Sequence, residues 1–284
     1  MKPLTIMQAN DGRGHSSHNL ALQLAHENNF DIIMIQEPWT FRDLTRKQTI
    51  SHTRYKTFSP LSTWSTRPRV LTYVRKTQEL RPYQESMDLS GDLLQLMVIT
   101  DSGRKLRVWN IYNAPPSSTG AGNGLSMLLN SNNDPFFVGG DFNLKHPSWD
   151  SITSYASPQS SELINWANQK NVSLLNPTGV PTHRAGGTID LAFCSQLGAT
   201  CKILSDLQTT SDHETLLSII PNIGNLKDFE GRLRYKSLDE KLFSSILTNC
   251  DRIPHLESSN EVEKEAKEIT LSIRSALNAS CPRT

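Results

Sequence analysis

Two oxygen-bearing side chains, Asp141 and Asn143, stand two positions apart directly after an apolar run and two glycines. The run, at residues 136–138, is typical of a buried strand, and the glycines permit a close approach of the backbone to a ligand. In an extended chain, side chains two positions apart face the same way, so a carboxylate and an amide would share one face at the end of a sheet. An Asx turn that closes a core strand explains the same residues without any chemistry.

More residues of this kind lie at or beside the ends of other predicted strands. They are Asn10 after the strand 4–9, Glu37 after 31–36, Tyr112 at the end of 106–112, Asp190 within 188–193, and Asp212 with His213 before 215–220. Sites in α/β sheets gather at strand ends, and oxygen ligands of this type suit Mg²⁺ or Mn²⁺. Each residue also has an ordinary interpretation, such as a solvated loop acid for Glu37 or a sheet-edge tyrosine for Tyr112.

The elements that must position these side chains alternate irregularly along the chain. Helical spacing predicts one helix after a cap at Ser16 or Ser17 and two more at 125–130 and 159–169. The strands 70–74, 93–100 and 106–112 could be neighbours in one sheet, and 200–204 is a further strand. This order favours an α/β layered sandwich over a regular doubly wound sheet.

The character of the chain changes after about residue 221. Apolar stripes at 238–247 and 266–277 predict two amphipathic helices, and the charges around them cancel. We therefore predict a first domain over 1–221 and a helical C-terminal extension or linker over 222–284.

The charge is unevenly distributed. The net charge is only +1, yet the stretch from Arg42 to Arg81 carries a net charge of +8. Aromatic residues are interleaved with these cations, namely Tyr55, Phe58, Trp64 and Tyr73. Such a mixture is one form of nucleic-acid surface, although charged loops are usually just solvated.

The cysteines and the apolar runs bound the cellular setting. None of the four cysteines has metal-type spacing, which favours a reduced compartment. The sequence shows neither a signal peptide nor an apolar run of transmembrane length. We therefore expect a soluble intracellular protein with no membrane partner.

Taken in order, the residues Asn, Glu, Tyr, Asp-x-Asn, Asp and Ser-Asp-His resemble the endonuclease/exonuclease/phosphatase superfamily over residues 4 to about 221. Within it, the local sequence looks most like the endonuclease domain of non-LTR (LINE-type) retrotransposons. The segments that carry the likeness are Gln8-Ala9-Asn10, Ile35-Gln36-Glu37-Pro38-Trp39, Asn110-Ile111-Tyr112-Asn113-Ala114-Pro115, Val138-Gly139-Gly140-Asp141-Phe142-Asn143, Pro181-Thr182 and Thr188-Ile189-Asp190-Leu191. One departure, Asp11-Gly12-Arg13-Gly14, could loosen the first loop of the site.

The resemblance implies a four-layer α/β sandwich, in which two packed mixed sheets are flanked by helices and the site lies at one end. It implies a Mg²⁺-dependent endonuclease, with Mn²⁺ as another usable ion, that nicks one strand of duplex DNA and leaves a 3′-hydroxyl. Carried over residue by residue, the metal ligands would be Glu37, Asn10 and Asp212, and the catalytic residues would be Asp141, Asn143, His213, Asp190 and Tyr112.

In this implied scheme Asp190 holds the imidazole of His213, which stabilises the charge that develops on the phosphate. Asp141 orients or deprotonates the attacking water, while Asn143 and Tyr112 hydrogen-bond the phosphate.

Partners and location follow from the same likeness and from the basic stretch. From the likeness we expect a nuclear monomer with a reverse transcriptase domain in a longer parent polyprotein, and from the basic stretch we expect contacts with duplex DNA through Arg67, Arg69 and Arg75. Two alternatives stay open, a phosphoesterase acting on abasic DNA, RNA or an inositol phosphate, and a catalytically silent retroelement remnant that binds DNA.

Overall fold

The computed structural model describes residues 3–41, 47–115, 118, 122–205, 209–221, 237–248 and 259–281. In chain order its elements are β1 (Leu4–Asn10), α1 (His15–Glu27), β2 (Ile32–Gln36), β3 (Tyr55–Phe58), β4 (Val70–Arg75), β5 (Leu80–Gln84), β6 (Leu93–Thr100), β7 (Lys105–Tyr112), α2 (Gly124–Leu129), β8 (Phe137–Asp141), α3 (Pro158–Gln169), β9 (Ser173–Leu174), β10 (Asp190–Cys194), β11 (Thr200–Ile203), β12 (Leu216–Ile220), α4 (Glu240–Thr248) and α5 (Ser259–Ser280). The chain divides into two compact units, Met1–Asn225 and Leu226–Thr284.

The first unit contains two six-stranded mixed sheets. The strand order is β11-β12-β1-β2-β4-β3 in the first sheet and β5-β6-β7-β8-β10-β9 in the second. The central pairs β1 with β2 and β7 with β8 are parallel, whereas the other described pairs are antiparallel. The carboxyl ends of β1 and β2 therefore lie together at one end of the first sheet, and those of β7 and β8 lie together at one end of the second.

Side chains that alternate across each strand build three apolar cores. Ile6 and Val108 pack between the two sheets, Met7 packs in the core beneath α1, and Trp109 packs in the core beneath α2 and α3. The layers are thus α1, first sheet, second sheet, and α2 with α3. This order confirms the predicted four-layer sandwich.

Buried amides replace apolar side chains between the sheets near the strand ends. Gln8 Nε2 donates to the carbonyl oxygen of Gly140 at 3.0 Å, and Gln36 Nε2 donates to Asn110 Oδ1 at 2.6 Å. Asn110 Nδ2 in turn donates to the carbonyl oxygen of Leu71 at 2.9 Å. Because a buried polar group that loses its partner destabilises the fold, these bonds fix how the two sheets align at this end.

The predicted strands and helices are present with small shifts at their ends, but one pairing is wrong. The strand at 70–75, expected beside 93–100, lies in the first sheet between β2 and β3. Neighbours in sequence are here separated by a crossing from one sheet to the other. Three strands that the sequence analysis missed, β3, β5 and β9, all lie at sheet edges, where a strand is paired on one side only.

The predicted serine cap of α1 is also wrong. The helix begins at His15, and Gly14 takes the N-cap position without any side-chain cap. The Gly14 carbonyl accepts the first helical bond, from the His18 amide at 3.1 Å. The helix therefore begins before Ser16 and Ser17, so neither serine can be its N-cap.

The second unit contains the two predicted helices. α4 follows Asp239, whose Oδ1 accepts hydrogen bonds from the amides of Lys241 at 3.1 Å and Leu242 at 3.0 Å. Ala276 and Cys281 are buried. The domain boundary at 221 stays a prediction, since residues 222–236 lie outside the described part. None of the described helices is both long and apolar enough to cross a membrane.

Candidate active site

The ends of β1 and β8 meet through Asn10 and Asp141, which are 1% and 2% exposed. Asn10 Nδ2 donates to Asp141 Oδ2 at 3.0 Å, and the Asn143 amide donates to Asp141 Oδ1 at 3.0 Å. Each oxygen of this buried carboxylate therefore has one donor that fixes its orientation. Burial, followed by the negative charge of Asp190, raises the pKa of Asp141 well above its ordinary value.

Close packing against β7 explains why a glycine, Gly140, precedes Asp141. A Cβ at this position would lie 1.8 Å from the carbonyl oxygen of Ile111 on the neighbouring strand, so no other residue fits without a shift of the backbone. The close approach places Tyr112 directly beside Asp141 in the parallel register.

The antiparallel neighbour β10 places Asp190 opposite Asp141. Asp190 Oδ2 lies 2.9 Å from His213 Nδ1, and both side chains are almost fully covered. Burial alone lowers the pKa of His213, but the hydrogen bond and charge of Asp190, together with the charges of Asp141 and Asp212, raise it to about 9. The imidazole is therefore a cation at neutral pH, held between acidic residues.

Glu37 follows β2 in a left-handed conformation, with φ of +45°. Its amide donates to the Arg69 carbonyl at 2.9 Å, and its carbonyl accepts from the Arg13 amide at 2.7 Å. A non-glycine residue in this region is strained, and such strain persists where surrounding bonds enforce it. The carboxylate is thereby aimed at Arg13 Nη2, at 2.7 Å, and at the hydroxyl of Tyr112. Burial and the charges of Glu37 and Asp141 raise the pKa of Tyr112.

The loop that departs from the resembled family is firmly held. The Asp11 amide donates to the Gln36 carbonyl at 2.9 Å, and the Gly14 amide donates to the Asp11 carbonyl at 2.9 Å. Gly12 donates to Asn10 Oδ1 at 3.0 Å. The Asp11 side chain is buried without a hydrogen-bond partner, and its burial raises its pKa well above the ordinary value. These hydrogen bonds argue against the loosening that the departure from the family could have caused.

Asp212 lies at the exposed rim of the site, with a 57% exposed side chain. Its Oδ2 lies 3.2 Å from His183 Nε2, and its Oδ1 lies 4.0 Å from His213 Nε2. Burial favours the neutral acid, but a backbone hydrogen bond and the charges of His213 and His183 outweigh it and lower the pKa of Asp212.

Asn143 also has a left-handed backbone, with φ of +48°. Its Nδ2 donates to the Asn113 carbonyl at 2.9 Å, and Asn113 Nδ2 donates to the Phe142 carbonyl at 2.7 Å. These two hydrogen bonds from side-chain amides join the loops that follow β7 and β8. The predicted contact of Asn143 with phosphate stays a prediction.

Two of the three predicted DNA-contact arginines have internal partners. Arg69 forms a bidentate ion pair with Asp92, at 2.5 and 2.6 Å, and its side chain is 14% exposed. Arg75 lies 3.7 Å from Asp31 and donates to the Phe30 carbonyl at 3.1 Å. These largely covered, paired guanidinium groups cannot reach a phosphate backbone without breaking these bonds. We therefore correct this assignment, while Arg67 remains exposed.

The aromatic residues expected to stack on bases are core residues. Their relative exposures are all below one tenth: Tyr55 3%, Phe58 8%, Trp64 5% and Tyr73 0%. Their interleaving with cations reflects strands that alternate between core and surface. Arg42, the first cation of the basic stretch, lies outside the described residues.

The comparisons with known proteins agree with this geometry. Residues 106–217 match a family model described as endonuclease-reverse transcriptase, a range that includes Tyr112, Asp141, Asp190 and His213. The chain is therefore similar, over these residues and in its fold, to proteins of the endonuclease/exonuclease/phosphatase superfamily. No curated protein matches the chain by sequence.

Solved structures share the superfamily fold. The endonuclease domain of TRAS1, a telomere-specific non-LTR retrotransposon, matches with a TM-score of 0.57 and 18% identity over 77% of this chain and 98% of that chain. The Xenopus laevis APE2 catalytic domain matches with a TM-score of 0.53 and 14% identity over 76% and 91% of the two chains. The human Nocturnin catalytic domain with bound sulfate matches with a TM-score of 0.50 and 16% identity, over 77% of this chain and 94% of that chain.

Superfamily members are hydrolytic nucleases and phosphatases and generally depend on a divalent metal ion. The chemistry of Asn10, Glu37 and Asp212 fits such an ion, because all three offer hard oxygen atoms. The partner of Glu37 supports the fit, since the guanidinium of Arg13 places positive charge against this carboxylate. A cation at Glu37 would take over the charge compensation that Arg13 now provides.

Four residues on the loops of the candidate site were not predicted from the sequence, namely His183, Arg13, Lys145 and Arg184. His183 sits beside Asp212 because an isolated antiparallel bridge pairs it with His213. The three cations have exposed side chains, and the Arg184 amide donates to the Asp212 carbonyl at 2.8 Å. The available signal was proximity in sequence: Lys145 follows Asn143 by two residues, and His183 and Arg184 follow the Pro-Thr pair that the resemblance already included.

Proposed function

We propose that this chain is a Mg²⁺-dependent DNA endonuclease that hydrolyses one strand of duplex DNA and leaves a 3′-hydroxyl. The observation that carries this proposal is the buried cluster of Asp141, Asp190 and His213 at the strand ends. Two acids flank an imidazolium that is fixed at Nδ1, which leaves Nε2–H free to face a substrate anion. Such a cation stabilises a pentacovalent phosphorus centre better than the diester ground state.

Asp141 is the group that accepts a proton from the attacking water. Its raised pKa makes it a stronger base than an ordinary carboxylate, and the donors Asn10 and Asn143 hold both of its oxygens. The water oxygen forms a bond to phosphorus while the bond from phosphorus to the 3′-oxygen breaks. The 3′-oxygen then takes up a proton to become the hydroxyl, and the phosphate stays on the 5′ side.

His213 stabilises the charge that develops on the non-bridging phosphoryl oxygens. Asp190 keeps its ring in one orientation through the 2.9 Å contact at Nδ1. Tyr112, which faces Glu37, and Asn143, whose amide donates to Asp141, would supply hydrogen bonds to the same phosphate. A Mg²⁺ ion held by Glu37, Asn10 and Asp212 would supply further neutralisation of phosphoryl charge.

Three exposed cations around the site favour a polymeric substrate. Arg13, Lys145 and Arg184 lie on three different loops: the loop after Asn10, the loop that carries Asn143, and the loop that carries His183. Exposed cations on such loops suit neighbouring phosphates of a nucleic-acid strand. These cations take the place of the arginines predicted at 69 and 75. Association with a reverse transcriptase, a nuclear location and a monomeric state stay predictions from the resemblance.

Nicking of supercoiled plasmid tests this proposal directly. We expect the full chain to relax plasmid with Mg²⁺ but not with EDTA, and Asp141→Ala or His213→Ala to reduce the rate at least about 100-fold, because each removes a positioned catalytic group. Asp134→Ala is the matched control, since Asp134 is 80% exposed and pairs with Lys170 at 3.1 Å. Folded protein with no nicking in Mg²⁺ or Mn²⁺ would contradict the proposal.

The chemistry at the nick is tested separately. A DNA polymerase should extend the nicked strand without prior phosphatase treatment if the product carries a 3′-hydroxyl. Extension that requires removal of a 3′-phosphate would reverse the assignment of the broken bond.

A further inference from the structure

The backbone places two histidines of the site face to face. His183 and His213 form an isolated antiparallel bridge. The flanking bonds run from the Arg184 amide to the Asp212 carbonyl and from the Glu214 amide to the Thr182 carbonyl, each at 2.8 Å. The two histidines are therefore the non-hydrogen-bonded pair, in which side chains approach most closely. Their ring centroids are 4.7 Å apart with an interplanar angle of 79°.

His213 is supported at Nδ1 and leaves Nε2 for a ligand, whereas His183 accepts at Nδ1 and turns Nε2 toward Asp212. His213 Nδ1 lies 2.9 Å from Asp190 Oδ2, and His183 Nδ1 accepts a hydrogen bond from the Ala185 amide at 3.1 Å. A carboxylate on the far nitrogen of a histidine is a common support for metal ligation, because it fixes the ring and raises its basicity. The Ala185 amide orients the ring of His183 with its proton on Nε2. Ligation of a metal ion through Nε2 therefore requires this proton to move to Nδ1, with loss of the hydrogen bond from Ala185.

The carboxylate of Asp212 lies between the Nε2 atoms of the two rings. Its oxygens are 3.2 Å from His183 Nε2 and 4.0 Å from His213 Nε2. Bond lengths of 2.0–2.2 Å in a tetrahedral zinc site place neighbouring ligand atoms about 3.3 to 3.5 Å apart. The two separations involve different oxygens of Asp212, and one ligand atom from each of the three residues lies within 4.8 Å of the others. Rotation of the exposed Asp212 side chain would bring one oxygen toward both nitrogens.

We propose that His183, Asp212 and His213 form a second metal site, one that takes Zn²⁺ and similar ions in preference to Mg²⁺. Two imidazoles and one carboxylate suit Zn²⁺, Co²⁺, Ni²⁺ or Cu²⁺, whereas Mg²⁺ requires oxygen ligands in octahedral geometry. Three protein ligands leave a fourth position open to water or to a phosphate oxygen.

Occupation of this site has a consequence that rests on the proposed function. An ion on His213 Nε2 removes the imidazolium from the reacting phosphate, and an ion on Asp212 removes a proposed Mg²⁺ ligand. Zn²⁺ is therefore an inhibitor that acts through His183, a residue outside the proposed catalytic set.

Binding of Co²⁺ tests the site without any assay of activity. We expect one Co²⁺ per native chain, with visible absorption bands of four- or five-coordinate intensity that stoichiometric Zn²⁺ abolishes. His183→Ala should weaken this binding at least about tenfold, since even loss of a group that supports a ligand has such an effect. His146→Ala is the matched control, because His146 is another loop histidine that is partly buried, next to Trp149.

Two results would overturn the site. One is Co²⁺ binding that is equal in the native chain and in His183→Ala. The other is a near-ultraviolet band from a cysteine thiolate, which would assign the ion elsewhere; Cys194 and Cys201 are buried and burial raises the pKa of each thiol to about 11.

Inhibition is measured next, in plasmid nicking at fixed Mg²⁺ with increasing Zn²⁺. Each variant is compared with its own rate without Zn²⁺. His183→Ala should need at least about ten times more Zn²⁺ for half inhibition than either the native chain or His146→Ala. Equal sensitivity of all three would refute inhibition through this site. A chain that binds Co²⁺ through His183 but never nicks DNA would keep the metal site and refute the proposed function alone.

Discussion

The carboxylate of Glu37 has a guanidinium where the proposed function needs a metal ion. Arg13 stands in the loop that departs from the resembled retroelement sequences, and its side chain is 62% exposed. It has a left-handed φ of +62°, so the turn itself aims the residue toward Glu37. An exposed ion pair of this kind contributes only about 0.2 to 1 kcal/mol, so a divalent ion can displace it.

Removal of Arg13 should therefore favour binding of the ion. We expect Arg13→Ala to lower the Mn²⁺ dissociation constant up to about fivefold, in line with the strength of an exposed pair, and Glu37→Gln to raise it. Because Arg13 also faces the substrate, Mn²⁺ binding is measured by electron paramagnetic resonance without DNA. Arg54→Ala, an exposed arginine beside β3, serves as control. Unchanged affinity in both Arg13→Ala and Glu37→Gln would exclude Glu37 as a ligand.

At the scale of single elements, β8 depends on the absence of a side chain at Gly140. Ala at this position would put its Cβ against the backbone of β7, in the middle of the second sheet, where neither strand can move aside. We expect Gly140→Ala to reduce the free energy of unfolding by about 3 kcal/mol or more, as measured by urea denaturation.

Gly187→Ala is the matched comparison for β8. The nearest atom to a Cβ at Gly187 is 3.8 Å away, so this change should stay within about 0.5 kcal/mol. Equal stability of the two variants would show that β8 can move away from β7, and the close approach would no longer explain the glycine.

The start of β4 illustrates how an internal ion pair differs from a surface cation. Asp92 lies against Arg69 with a side chain only 3% exposed. Arg69→Ala leaves this acid buried without its partner, so we expect a loss of about 3 to 5 kcal/mol in the free energy of unfolding. The salt dependence of duplex binding should stay as in the native chain, because Arg69 makes no phosphate contact in this arrangement.

Lys145 and Arg184 should behave in the opposite way. Each of Lys145→Ala and Arg184→Ala should leave stability within about 0.5 kcal/mol and reduce the slope of log affinity against log salt by about one. Lys105→Ala, at the other end of β7, controls for the loss of a single surface charge. Unaltered slopes in both loop variants, measured on a catalytically inactive Asp141→Ala background, would remove these cations from the substrate path.

At the scale of the whole molecule, the predictable part of the site consists of residues at strand ends. Asn10, Tyr112 and Asp141 each follow an apolar run directly, so local patterning gives both their place and their neighbours. His183 could not be found in this way, because its position depends on a bridge between two loops that are about 30 residues apart in sequence and carry no strand pattern.

The errors at the basic stretch have a related physical cause. A count of charges records neither burial nor partners, and Asp92 lies 23 residues beyond the arginine that it pairs with. The aromatic residues near these cations belong to strands with one covered face, such as β3, where Tyr55 and Phe58 are buried and Lys56 is exposed. Sequence proximity of cations and rings therefore reflected alternation across a strand rather than a stacking surface.

One buried histidine connects the helical layer to the first sheet. His18 of α1 accepts a hydrogen bond at Nδ1 from the Trp39 amide at 3.2 Å, and its Nε2 lies 2.9 Å from the hydroxyl of Tyr73 in β4. That hydroxyl donates to the Ile50 carbonyl at 2.7 Å, so the proton between the two side chains belongs to the imidazole. Both ring nitrogens of the neutral histidine are thereby satisfied. A second proton would have to enter at Nδ1, against the Trp39 amide.

This arrangement makes the fold sensitive to acid. Burial lowers the pKa of His18 from its ordinary value of 6.5 to about 3, so its neutral form contributes full stability above pH 6.5 and loses that contribution as the pH falls toward 3. Between pH 7.5 and 4.5 the loss should reach about 2 to 3 kcal/mol in the free energy of unfolding. Urea denaturation of His18→Gln should lack this component, because glutamine does not titrate, whereas His146→Gln should retain it. Since other groups titrate equally in all three chains, the difference between native and His18→Gln isolates His18, and parallel pH profiles would show that this histidine is not the acid-sensitive link.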